Sequence, residues 1–185
     1  MNIRTSSIAV LLALAMPCIA NAADYNVQPG STLGFTSNFQ GSNFDGHFTK
    51  WTAAISYDAT KLASSKFDVT VDLATVKTGD KDRDGALPGA DFFNVAKYPQ
   101  AHFVTTAFHQ QGSQVIADGM LTLRGVTKPV SLNVAFKPQK GNGATLDVTG
   151  TVKRLDFGVG GGQYADTSVI GPDVKVMAHL VLSAK

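Results

Sequence analysis

The stretch Thr78-Gly79-Asp80-Lys81-Asp82-Arg83-Asp84-Gly85-Ala86-Leu87-Pro88-Gly89-Ala90-Asp91 sets carboxylates on alternate residues, with a glycine behind them. Calcium takes six to eight oxygen ligands at roughly 2.3–2.6 Å, and calcium loops offer them at alternate positions. Asp80, Asp82, Asp84 and Asp91 could supply some of these oxygens. Against that, Asp91 stands where a bidentate Glu is usual, and Pro88 interrupts the loop. Lys81 and Arg83 also dilute the negative charge. A calcium-stabilised interaction module is therefore one reading. A solvated loop whose Leu87, Phe92 and Phe93 fold back on a core is the preferred one.

Other reactive side chains are sparse. The four histidines are His47, His102, His109 and His179. His102 and His109 are seven apart, which places them on opposite faces of a regular strand, so no metal cluster forms from them. Asp84, His102 or His109 as acid or base would make an enzyme acting on a hydrophobic substrate, but nothing fixes their mutual geometry. No Gly-x-Ser-x-Gly elbow occurs. Gly158-Val159-Gly160-Gly161-Gly162-Gln163 is glycine-rich, yet it opens no evident helix and is a weak phosphate cradle. Arg124 to Pro129 reads as a turn, with Arg124 and Lys128 either solvated or facing an anionic lipid head. No catalytic set, metal site or cofactor follows from these residues.

The ends and composition narrow the setting. Arg4 precedes an apolar run from Ile8 to Met16, and Ala20-Asn21-Ala22 offers small residues for cleavage. This reads as a secretory leader over residues 1–22, cut after Ala22, followed by one domain over 23–185. Nine apolar residues fall far short of the roughly 20 that span a bilayer, and no later segment does better, so no stable membrane insertion is expected. Cys18 is the only cysteine, so the mature chain has neither disulfide nor thiolate site. Export without disulfides suggests a bacterial periplasm. Removing the leader from 185 residues leaves 163, with 15 basic and 14 acidic side chains. That near balance gives no electrostatic footprint for nucleic acid.

The elements that must position these residues are strands. Phe67, Val69, Val71 and Leu73 alternate with Lys66, Asp68, Thr70 and Asp72. Val130, Leu132, Val134 and Phe136 share a face, as do Leu146, Val148, Gly150 and Val152. Val174, Val176, Ala178, Leu180 and Leu182 do the same. Period-two alternation marks half-buried antiparallel strands. Weaker strands fall at 32–40, 44–57, 100–109 and 114–123, with Gly46 as a candidate bend. A helix fits only within 79–97, and Pro88 keeps it short. About eight strands, each with one apolar face, are best satisfied by closure into a barrel. Small inward residues (Ala117, Gly119, Gly150 and Ala178) either leave a hollow or receive neighbouring rings.

Four segments carry a resemblance. They are 44–58 (FDGHFTKWTAAISYD), 83–103 (RDGALPGADFFNVAKYPQAHF), 121–134 (LTLRGVTKPVSLNV) and 154–162 (RLDFGVGGG). Together, in this order, they resemble the YceI family of periplasmic, lipocalin-like proteins. The resemblance implies an all-β fold with a minor helix: an eight-stranded antiparallel lipocalin-like barrel around an apolar central tunnel. It implies binding, transport or sequestration of a long-chain isoprenoid lipid, of polyprenyl or quinone type, without catalysis. Two departures bear on head-group choice. The family's basic residue and serine are Pro88 and Gly89 here, and its histidine is Ala86. Some members are fused to a b-type membrane cytochrome, which implies a functional link to one, and a C2 homodimer is left open. Alternation nominates the tunnel lining as Leu33, Phe35, Phe39, Phe67, Val69, Val71, Leu121, Val134, Phe136, Val148, Val176 and Leu180.

Overall fold

The computed structural model describes residues 22–185. The expected leader lies outside the described residues except for Ala22. Eleven strands form one sheet: β1 (Ala23–Val27), β2 (Thr32–Phe39), β3 (Ser42–Phe48), β4 (Trp51–Tyr57), β5 (Lys66–Asp72), β6 (Val76–Lys77), β7 (Gln100–Gln111), β8 (Gln114–Leu123), β9 (Val126–Pro138), β10 (Gly143–Lys153) and β11 (Asp173–Ala184). All pairings are antiparallel, and β1 bonds both β4 and β11. That double pairing closes the sheet into a barrel.

The eleven segments make eight walls. β1 and β2 lie along successive parts of β11, so they are one strand broken at Gln28–Ser31. β2 pairs with β3 while β1 pairs with β4, so β3 and β4 are a second broken strand. β5 and β6 pair with β4 and β3 respectively and form a third. The eight-stranded antiparallel barrel expected from the sequence is therefore present, with strand β1 added to the predicted set.

The breaks reset side-chain parity. Phe44 and Phe48 are inward on β3, whereas Trp51, Ala53, Ile55 and Tyr57 are inward on β4. The reset falls at Thr49–Lys50, not at the candidate bend Gly46. Gly46 sits flat under the Phe35 ring, and a Cβ there would lie 2.3 Å from Phe35 Cζ. A second reset is a β-bulge on β7 between Thr105 and Ala107. The extra residue puts His102 and His109 on the same outer face, correcting the opposite placement that strict alternation implies.

Turn chemistry fits the hairpins. Gln40-Gly41 and Arg124-Gly125 all have positive φ, between 51° and 81°, as two-residue type I′ hairpin turns require. The second turn is tighter than the 124–129 span expected, and β9 begins directly at Val126.

The barrel ends differ. At one end, Tyr25, Tyr57, Phe67, Phe108 and Phe136 pack ring to ring, with centroids as close as 4.8 Å for Tyr57–Phe136. Ala117, Leu146 and Leu182 are fully buried among them. Edge and tilted ring contacts of this kind fill volume without leaving voids. At the other end lie helix α1 (Lys81–Ala86) and two long connections, 87–99 and 154–172. Leu73, Val76, Leu87, Phe93, Phe157 and Val159 bury there in a second cluster.

Candidate functional site: a cavity open at one end of the barrel

Between the aromatic floor and α1 lies a cavity of about 940 Å³. Ligand pockets usually run from roughly 300 to 1,000 Å³. Its walls are aliphatic and aromatic, because each strand turns its apolar face inward. Ten of the twelve nominated residues line it: Leu33, Phe35, Phe39, Phe67, Val69, Val71, Leu121, Val148, Val176 and Leu180. Val134 and Phe136 share the inward face but belong to the floor itself, packed with Tyr57 and its neighbours. They help stop the cavity rather than line it.

The walls also hold residues that alternation did not nominate. Phe44, Phe48, Trp51 and Ile55 line the cavity from β3 and β4. Their signal was the change of parity within 44–57, which points to a break between two apolar runs. Leu87 and Phe93 enter from the connection after α1, where no strand periodicity exists to find them. Of the small inward residues, Ala178 faces the cavity. Gly119 and Gly150 instead receive Phe103 and Leu132, whose atoms would lie 2.5 and 2.4 Å from an added Cβ. Ala117 is in the packed floor.

The mouth is built by hydrogen bonds. Asp80 caps α1, its carboxylate accepting from Arg83 N–H at 2.9 Å. Asp84 accepts from the Thr78 hydroxyl and N–H, both at 2.7 Å. The hydroxyl bond holds the Asp84 carboxyl below the usual carboxylate range. The alternating acids are thus a helix N-cap and a turn lock. Among the described residues no group of three or more His, Cys, Asp or Glu could hold a metal ion. Arg83 lies 3.6 Å from Asp80, donates to Thr78 Oγ1, and sits 3.9 Å above the Phe44 ring. Asp82, Gln163 and Asp166 complete the polar part of the mouth.

Arg154 organises the long connection. Its guanidinium donates to the carbonyls of Val159, Gly160, Tyr164, Ile170 and Gly171, each at 3.1 Å or less. Guanidinium has five N–H donors, so every one is used. Burial lowers its pKa. Arg124 joins the two connections, donating to Gly158 O and Ala90 O at 2.7 Å each. Gly160 N–H donates to Asp91 O at 2.8 Å as well. The glycine-rich stretch therefore bends around Arg154, with positive φ at Gly158, Gly160 and Gly162. Both terminal nitrogens of Arg124 are thus engaged within the protein, while its buried Nε has no hydrogen-bond partner among the described residues.

The candidate acid–base residues are not brought together. Asp84 is in α1. His102 pairs with Asp68 at 2.8 Å and His109 with Asp118 at 3.1 Å, both on the outer face. His179 pairs there with Asp147, and His47 is exposed. No described helix is long and apolar enough to cross a membrane.

The geometry has relatives. The chain is 36% identical over 152 residues to a UPF0312 protein of Pseudomonas savastanoi pv. phaseolicola, covering 77% of this chain and 79% of that one. Among solved structures, Burkholderia cenocepacia BcnA superposes with a TM-score of 0.79 at 32% identity, over 84% of this chain and 99% of that one. A polyisoprenoid binding domain from Saccharophagus degradans shares the fold with a TM-score of 0.68 at 18% identity, over 90% and 100% of the two chains. The model of the YceI-like domain matches residues 25–182, from the first closing strand to the last, and on that span the chain belongs to the YceI-like family.

Proposed function

We propose that this protein binds a long-chain isoprenoid lipid, of polyprenyl or quinone type, in the barrel cavity, and carries or sequesters it in the periplasm after removal of residues 1–22. One observation carries the reading. The cavity is deep and lined by aliphatic and aromatic side chains, while charged groups are confined to its mouth. Such a shape suits a flexible apolar chain with a polar head left near α1. Burying one methylene gains about 0.8 kcal/mol, so a dozen gain about 10 kcal/mol before ordering costs. No catalytic group is needed for tight binding. The S. degradans fold relative, itself a polyisoprenoid binding domain, supports the same ligand class.

Filling the cavity tests this. Ala178 faces the hollow, so Ala178→Trp places an indole in the ligand's space. Native mass spectrometry of the wild type purified from the cell should show a long-chain lipid adduct. The variant should fold and lack it. A wild type that is empty, and that takes up no offered long-tailed quinone, removes the proposal.

A further inference from the structure

Large apolar side chains left in solvent are unevenly placed on this barrel. Among the described residues six are exposed: Phe39, Val126, Leu155, Tyr164, Val169 and Met177, each between 36 and 40%. Met177 is on the outer wall of β11. The other five all sit at the open end, on the β2 terminus, the β8–β9 turn and the 154–172 connection. The closed end, with its turns at 58–65, 112–113 and 139–142, presents none. It carries Lys61, Lys66, Lys137, Lys140 and Lys185 instead, offset in part by Asp24 and Asp58.

Single exposed apolar residues need no explanation, but their concentration around one opening does. Phe39, Tyr164 and Val169 line the cavity mouth as well as facing solvent. These three residues link the outer rim to the apolar cavity wall, between the polar groups Asp82, Arg83, Gln163 and Asp166 of the mouth. The rim is held in place: Arg154 fixes the carbonyl of Tyr164 and that of Ile170, next to Val169, and the Phe92 ring lies 5.1 Å from the Tyr164 ring. Charges around the opening nearly cancel, with Asp80, Asp82, Asp84, Asp91, Asp156, Asp166 and Asp173 set against Lys77, Lys81, Arg83, Lys97, Arg124, Lys128, Lys153 and Arg154. Nothing there favours a strongly charged partner.

We propose that the open end is a docking surface for a neutral lipid bilayer, with Tyr164, Val169 and Leu155 entering the interface beside the cavity mouth. This rests on the lipid-carrying reading above, because it supplies the source of the apolar cargo. A chain leaving the bilayer through this rim would pass into the cavity without crossing water, and the basic closed end would point away.

Flotation with vesicles tests docking, and quinone uptake from detergent micelles tests the cargo reading separately. Wild-type protein should float with phosphatidylcholine vesicles, and added phosphatidylglycerol or salt should change its partition little. Leu155→Ser/Val169→Ser and Tyr164→Ser/Val169→Ser should each weaken partition about tenfold, through loss of buried apolar area, the first with an unchanged thermal transition and the second with a small decrease from the lost Phe92 contact. Single Val169→Glu gives an independent check in the same direction. A wild type that stays with the protein fractions, variants that float equally well, or binding that requires anionic lipid and vanishes in salt would each overturn the docking surface. A wild type that floats but is empty as purified and takes up no long-tailed isoprenoid benzoquinone from micelles keeps the surface and removes the cargo reading.

Discussion

At the residue scale, Arg154 and Asp84 show how polar chemistry is spent on building the mouth. Replacing Arg154 by Ala removes the side-chain donor of five carbonyls, two in buried and three in part-buried hydrogen bonds. We expect a loss of about 3 kcal/mol or more, read as a lower urea midpoint, since buried unsatisfied groups are among the costliest defects. Arg154→Lys should recover little of it, because an ammonium cannot reproduce the planar fork. Asp84 makes a pH-dependent contribution. Its folded carboxyl titrates below its unfolded value, so the stabilisation is fully present above the usual carboxylate range. It is lost as pH falls through the lowered value. Asp84→Asn should therefore lower stability at neutral pH, change it little at the acid end, and so flatten the acid limb of a stability–pH profile.

At the scale of elements, broken strands let one short chain wrap a wide interior. Gly46 and Gly119 are positions where a ring lies directly over the backbone, and they allow β3 and β8 to pack beneath Phe35 and Phe103. Gly46→Ala pushes a methyl into the Phe35 ring and should cost about 1–3 kcal/mol by overpacking, measured by chemical denaturation. The same change at Gly41, where a Cβ meets nothing within 4 Å, acts instead through its φ of 81°. It should shift the β2–β3 turn without disturbing the wall. The contrast between the two variants separates packing from backbone strain.

At the scale of the molecule, the barrel divides into a filled half and a hollow half. The filled half supplies a core that needs no disulfide, since the described chain has no cysteine. The hollow half lacks contacts that a ligand would provide. Stripping bound lipid should therefore lower the thermal midpoint, and adding lipid back should restore it; saturation a hundredfold above Kd corresponds to about 2.7 kcal/mol. A midpoint indifferent to lipid would show that the hollow contributes nothing to binding.

Alternation in the sequence was enough to specify the barrel, because a strand's period of two assigns each side chain to a face once its neighbours are known. Val69, Val148 and Val176, on the face that alternation assigns them, line the cavity wall. Period two says nothing of what fills the space in front of a side chain, so Val148 lines the cavity while its cross-strand partner Val134, on the same face, is taken up in the packed aromatic floor. Nor does it survive an inserted residue: the bulge at Thr105–Ala107 and the break at Thr49–Lys50 are backbone events that reset the count. Tertiary structure alone decided where the rings gather and where they leave a hollow. That outcome depends on ring-to-ring contacts between distant strands, which no local pattern encodes.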